Sequence, residues 1–152
     1  DFKIQTQEQN ISTFATILSA AQILLLAIAA ISLLVGGVGV MNIMYVVVTE
    51  RTAEIGLKKA LGATNRKILL EFLIEAVLLT VVGGIVGILL GALLAYGVAR
   101  GAQAFGFAWA YIVPVRGVVV AMAVSCAIGI GFGVFPARNA AKMNPIEALR
   151  YE

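Results

Sequence analysis

Residues 76–99 read AVLLTVVGGIVGILLGALLAYGVA, 24 positions without one charged side chain. A helix needs about 20 mostly apolar residues to cross a ~30 Å hydrocarbon core, so this stretch is long enough to span a bilayer. Two further stretches pass the same test: residues 9–49, with 41 positions, and residues 117–137, with 21. Across the 152 residues, 61% are hydrophobic and 12% charged, against roughly 45–50% and 25% in soluble domains. A water-soluble globule of this size could not hide that much apolar surface. The sequence predicts an all-α integral membrane protein with three transmembrane helices.

Composition also removes most chemistry. There is no histidine, hence no imidazole base and no His-ligated metal. The single cysteine, Cys126, lies in the last apolar stretch, where a small buried thiol is the plain expectation. No segment matches G-x-x-x-x-G-K-[ST], so no phosphate-cradling loop is expected in this chain. Neither a catalytic site nor a metal or cofactor site is expected, and nothing points to nucleic acid.

The cations are unevenly distributed. Residues 50–75 hold Arg51, Lys58, Lys59, Arg66 and Lys67, and the tail holds Arg138, Lys142 and Arg150. The opposite side holds Lys3, Arg100 and Arg116. Eight against three places the connection 50–75 and the C-terminus in the cytoplasm by the positive-inside rule, with the N-terminus outside. Tyr96, Phe105, Phe107, Trp109 and Tyr111 cluster in the outer connection, as an interfacial aromatic belt would.

The segments differ in kind. Phe2-Lys3-Ile4-Gln5-Thr6-Gln7 alternates apolar and polar, which predicts the end of a strand. Residues 11–48 contain no proline; one helix of that length would run about 57 Å, nearly twice the hydrocarbon core. The early part, with Ser12, Thr13, Thr16, Ser19 and Gln22, is the more polar. A stalk rising out of the membrane is the preferred reading; the alternative is a separate interfacial helix followed by a break, with Gly36-Gly37-Val38-Gly39 able to supply a second break. Gly83, Gly87, Gly91 and Ala95 repeat a small residue at every fourth position, and so do Ala121, Ser125, Gly129 and Gly133. Such ladders let helix backbones approach closely in lipid, within the protomer or across a dimer.

Glu71 and Glu75 open the second span. Near a helix N-terminus carboxylates are favoured, and Arg66 and Lys67 stand close enough in sequence to pair with Glu71. A coupling-ion site is the alternative.

The most informative stretch is Thr49-Glu-Arg-Thr-Ala-Glu-Ile-Gly-Leu-Lys-Lys-Ala-Leu-Gly62. Ala53, Leu57, Ala60 and Leu61 form an apolar stripe at helical spacing, while Arg51, Glu54 and Lys58 occupy another face. Glu54 precedes Lys58 by four residues, the favourable orientation. Glu50 at one end and Lys58 and Lys59 at the other suit the macrodipole, and Gly62 suits the C′ position. The expected amphipathic helix lies on lipid or docks on a cytoplasmic protein. In the tail, Pro136 is expected to end the third span, and Asn144-Pro-Ile-Glu147 to start a short capped helix.

These residues carry a resemblance. Met41-Asn-Ile-Met44, Thr49-Glu-Arg-Thr52, Glu54-Ile-Gly56, Lys59-Ala-Leu-Gly-Ala63 and Phe72-Leu-Ile-Glu-Ala76 resemble the FtsX-like (MacB-type) permease domain of ABC transporters. Phe135-Pro-Ala-Arg138-Asn-Ala-Ala141 and Asn144-Pro-Ile-Glu-Ala-Leu-Arg150 are similar to the family's C-terminal signature. The resemblance implies a four-span permease whose second to fourth spans are present here. It assigns residues 1–10 to the end of an extracytoplasmic domain, 11–48 to a stalk and span, and 49–67 to a cytoplasmic coupling helix and loop. Residues 68–98 and 117–137 are then spans, 99–116 the outer connection and 138–152 the tail.

The resemblance further implies a bacterial inner-membrane dimer with an ABC ATPase, fused or separate, that binds ATP and magnesium. Glu50, Arg51, Glu54, Leu57, Lys58, Lys59 and Leu61 would meet that ATPase. Gly83, Gly87, Gly91, Ser125, Gly129 and Gly133 would pack helices. ATP-driven movement of the stalks would export drugs, peptides or lipoproteins, with a membrane fusion or adaptor protein as a further partner. A signalling scaffold controlling cell-wall hydrolases shares every one of these motifs. A secondary transporter or channel would need charges deeper in the spans.

Overall fold

The computed structural model describes residues 7–108 and 110–150, and all regular structure among them is helical: α1 (Gln7–Glu50), α2 (Thr52–Ala60), α3 (Asn65–Ala104), α4 (Val115–Lys142) and α5 (Pro145–Arg150). α1, α3 and α4 are each long and apolar enough to cross a membrane. In lipid every backbone N–H and C=O must be satisfied within the segment, which is why runs rich in Leu, Ile, Val and Ala take this form. The all-α membrane fold predicted from the sequence is therefore present.

Two compact units divide the chain, Asp1–Gly36 and Gly37–Glu152. In the first, Phe14, Leu18 and Leu25 are exposed. Its polar residues bond inside the helix: the Thr16 hydroxyl donates to the Ser12 carbonyl at 2.8 Å and that of Ser19 to Thr16 at 2.8 Å. The strand expected at residues 2–7 lies outside the described residues except for Gln7, which opens α1. The helix passes through Gly36-Gly37-Val38-Gly39 without leaving the α conformation.

The second unit has one core, built at the end where α1 finishes, α3 begins and α4 finishes. Met44, Val48, Ile55, Ile68, Phe72, Ala76, Ala137, Ala140 and Ala141 are buried together. The alanines and glycines of α4 let its backbone approach α3. Away from this core most large apolar side chains are exposed, Leu89 and Leu93 both at 65%, as suits helices whose solvent is lipid.

The turns have local causes. At the α1–α2 junction the hydroxyls of Thr49 and Thr52 fold back on the carbonyls of Val46 and Thr49, both at 2.7 Å. These side-chain bonds compete with the backbone ladder. Arg51 takes φ −100°, ψ 19° and breaks the helix there. The coupling helix expected from Thr49 thus starts at Thr52, and Glu50 falls in the last turn of α1. Glu54, not Glu50, is the acid of the first turn of α2. Gly62 closes α2 at φ +94°, a left-handed conformation that glycine adopts without steric cost. Thr64 then caps α3, its hydroxyl accepting from the Lys67 N–H at 3.3 Å.

Pro136 does not end α4, as the sequence predicted, because the helix continues to Lys142. A proline removes one backbone donor, and here the residues around it are buried: Pro136, Ala137, Ala140 and Ala141 all lie in the packed seam. Packing outweighs the lost bond. In the tail the Asn144 side chain accepts from the Ile146 N–H at 3.1 Å, with Pro145 opening α5, so the predicted helix start is present. At the opposite end of α3 the rings of Tyr96 and Tyr111 meet edge to face at 5.5 Å, and the Tyr111 hydroxyl donates to the Ala92 carbonyl at 3.2 Å. This pair ties the connection between α3 and α4 back onto α3. Trp109 of the expected belt lies outside the described residues.

Candidate functional site

α2 has two faces of different chemistry. Arg51, Thr52, Ile55, Gly56 and Lys59 follow helical spacing on the side turned toward the bundle, where Ile55 and Gly56 are buried. Ala53, Leu57, Ala60 and Leu61, the stripe read from the sequence, are on the other side and exposed, Leu57 at 53% and Leu61 at 81%. The apolar stripe therefore faces away from the core. Sequence reading missed Ile55 as the core residue because it stands alone, with charges three and four positions on.

Charges hold the inner face in place. Arg51 reaches Glu75 of α3 at 3.2 Å and Glu54 of its own helix at 3.1 Å. Lys58 bonds Glu54 at 2.9 Å and also pairs with Glu71 of α3. Glu71 and Glu75 are one turn apart, so two successive turns of α3 are fastened to α2. Glu71 thus takes Lys58 as its partner, where Arg66 and Lys67 had been expected; α2 lies close enough to compete, and its ammonium already approaches Glu54. The hydrogen bond to Glu71, followed by that to Glu54, raises the Lys58 pKa above its ordinary value. The same ammonium lowers the Glu54 carboxyl, chiefly through its hydrogen bond. These side chains are partly exposed, so each pair contributes little singly, roughly 0–1 kcal/mol. Linked into one network, they add to the burial of Ile55 in holding α2.

Lys59 does something else. Its ammonium donates to the carbonyl oxygens of Ala141 at 2.6 Å and Met143 at 2.7 Å. These lie at the C-terminal end of α4, where carbonyls lack helical partners and carry the negative end of the dipole. α2 is thus joined to α3 by carboxylates and to α4 by a cationic cap. α5 packs on α2 as well. Of the seven residues expected to meet an ATPase, Arg51, Glu54, Lys58 and Lys59 are engaged within the chain. Leu57 and Leu61 are open, and Glu50 is exposed at the end of α1.

The ladders separate too. On α4, a Cβ on Gly129 would collide with the Thr80 hydroxyl and lie 2.9 Å from the Val77 Cα, and one on Gly133 would strike Ala76. Ser125 faces Gly84. Gly83, Gly87 and Gly91 have open space at their Cβ positions. The α3 face that meets α4 is instead Ala76, Thr80 and Gly84, a small ladder with the same spacing. The sequence offers both faces of α3, and its spacing alone could not choose between them.

The sequence also matches known proteins. Residues 26–145 match the family model described as "FtsX-like permease C-terminal". The "Macrolide export ATP-binding/permease protein MacB" of Bdellovibrio bacteriovorus is 46% identical over 137 residues, 85% of this chain and 19% of that protein. The "Uncharacterized ABC transporter permease YknZ" of Bacillus subtilis is 46% identical over 151 residues, 99% of this chain and 37% of that protein. A MacB of Chromobacterium violaceum is 45% identical over 152 residues, 100% of this chain and 23% of that protein. The chain therefore spans between a fifth and two fifths of the length of these relatives. With a matching family model across most of its length, three apolar helices and a short amphipathic helix between the first two, this chain belongs to the FtsX-like permease family of ABC transporters.

Proposed function

We propose that this chain is the part of an ABC transporter permease that carries force from a cytoplasmic ATPase into the membrane, with α2 as the coupling helix. The observation that carries this reading is the division of α2 into a fastened inner face and an open apolar outer face. A helix that must pass on movement needs both. Leu57 and Leu61 are the anchors for the ATPase, and Glu50 contributes to register at the rim, where charge sets specificity more than affinity. Arg51, Lys58 and Lys59 act on the other side of the junction and make α3 and α4 follow α2.

In this reading the charged end of the bundle is cytoplasmic, the protein sits in the bacterial inner membrane as a dimer, and ATP and magnesium bind the ATPase. α1 continues as a stalk toward an extracytoplasmic domain, whose movement expels drugs, peptides or lipoproteins, with an adaptor protein as a further partner. Both span carboxylates, Glu71 and Glu75, are paired with α2, which supports an anchoring role over a coupling-ion site.

The test is Leu57→Asp in the full-length complex. ATP hydrolysis should persist while export, or the drug resistance it confers, falls at least tenfold. Unchanged export from a correctly inserted and assembled Leu57→Asp protein would mean that coupling does not pass through α2.

A further inference from the structure

A second polar feature lies beside the α2 junction and shares Ala141 with it. Between the start of α3 and the end of α4 is a groove of 410 Å³ lined by Asn65, Arg66, Leu69, Arg138, Ala141 and Lys142. That volume falls in the range of small-molecule clefts, ~300–1,000 Å³. No carboxylate lines the groove, and among the described residues Arg66, Arg138 and Lys142 have no ion pair. This sets them apart from Arg51 and Lys58, which are paired.

The helix ends reinforce the charge. Asn65 and Arg66 are the first residues of α3, where free backbone N–H groups carry the positive end of the dipole. The opposing negative end of α4 would repel an anion. It is masked, because the Lys59 ammonium already holds the carbonyls of Ala141 and Met143. The groove thus gathers three cations, one helix N-terminus and one neutralised C-terminus.

Its position selects the kind of anion. Leu69 gives the groove an apolar wall. One turn deeper, Leu70 lies above Arg66 and Phe135 above Arg138, exposed at 44% and 58% on the lipid-facing surfaces of the two spans. A headgroup seated on the cations would lay its acyl chains along these residues. Basic clefts between transmembrane helices at a membrane face suit anionic headgroups.

We propose that this groove binds the phosphate of an anionic phospholipid from the adjoining leaflet. The site needs α3 and α4 to span the bilayer and does not depend on α2 coupling an ATPase.

The experiment places the full-length permease complex in nanodiscs of phosphatidylglycerol with phosphatidylcholine and counts retained lipid by native mass spectrometry. Arg66→Gln/Arg138→Gln/Lys142→Gln is compared with wild type, and Lys67→Gln, outside the groove, is the control. At roughly fivefold per cation near an anionic surface, the triple variant should hold phosphatidylglycerol about 100-fold more weakly. Lys67→Gln should retain it, and each single groove variant should lose a part. A matching thermal transition shows that the triple variant is folded; if it is not, the single variants carry the comparison. Three results overturn the proposal. The wild type retains phosphatidylcholine as well as phosphatidylglycerol; inorganic phosphate displaces the lipid, making the site one for soluble anions; or the variant sheds the ATPase rather than lipid, making the groove a protein contact.

Discussion

The α3 face with Gly83, Gly87 and Gly91 and the α4 face with Ser125, Gly129 and Gly133 carry the same pattern, a small residue at every fourth position. Their surroundings differ completely. Gly129 and Gly133 leave no room for a methyl group, since Val77 and Ala76 of α3 stand against them. Gly83, Gly87 and Gly91 meet nothing within the described chain. Small residues confer the capacity for close approach, and neighbouring residues decide whether it is used. In lipid, packing is the main source of helix association, so the used face should be the fragile one.

Substitution with leucine should separate the two faces most strongly. Gly129→Leu inserts a side chain into a seam already closed by backbone, and overpacking of this kind costs about 1–3 kcal/mol or more. The melting temperature in detergent should fall by several degrees. Gly87→Leu should leave the melting temperature of the monomeric protein unchanged, within the ±0.5 kcal/mol usual for exposed sites. Its effect, where there is one, should be read in the oligomeric state by size-exclusion chromatography with light scattering. Equal destabilisation by both variants would remove the distinction between the faces.

A smaller effect separates the packed seam from the charged one. Seam packing is indifferent to pH, whereas the α2–α3 fastening is not. The folded pKa of Lys58 is raised, so its contribution is fully present below the ordinary 10.5 and is lost only as pH rises through the higher folded value. The folded pKa of Glu54 is lowered, so its contribution is present above the ordinary 4.5 and is lost as pH falls through the lower folded value. Hydrogen exchange of α2 amides, corrected for intrinsic rates, should be flat between these limits and increase modestly below pH 4. Exchange in the α3–α4 seam should stay constant throughout. Strong loosening of α2 between pH 6 and 8 would contradict the assigned pairs.

Much of this arrangement is legible in the sequence, and the gaps have physical causes. The three long helices follow from charge-free length, because lipid leaves the backbone few alternatives. Gly62 at a left-handed C′ and Asn144-Pro145 at a helix start are local signals that act locally. What escaped was tertiary. A proline in a helix interior normally ends or kinks it, and the packing of Ala137, Ala140 and Ala141 that carries α4 through Pro136 is not visible in the sequence. The partners of Glu71 and Glu75 come from α2, brought alongside by the turn at 61–64, so nearness in sequence misled for Arg66 and Lys67. The stripe of α2 was visible, but its direction was not. An apolar stripe normally faces the core, whereas here Ile55 and paired charges do so and Leu57 and Leu61 look outward. That inversion leaves an apolar face of α2 open, and the proposed coupling rests on that face.

The most direct measurement of the two-faced α2 is cross-linking from its outer face. In a Cys126→Ser background, Leu57→Cys and Leu61→Cys in the full-length complex are treated with a short cysteine-to-amine cross-linker, with Leu89→Cys on the exposed face of α3 as the comparison. A two-faced α2 gives ATPase adducts from Leu57→Cys and Leu61→Cys, changing in yield between nucleotide-free and ATP-bound states, and none from Leu89→Cys. Absence of any ATPase adduct from both α2 positions, in a complex that still hydrolyses ATP and exports, would contradict it.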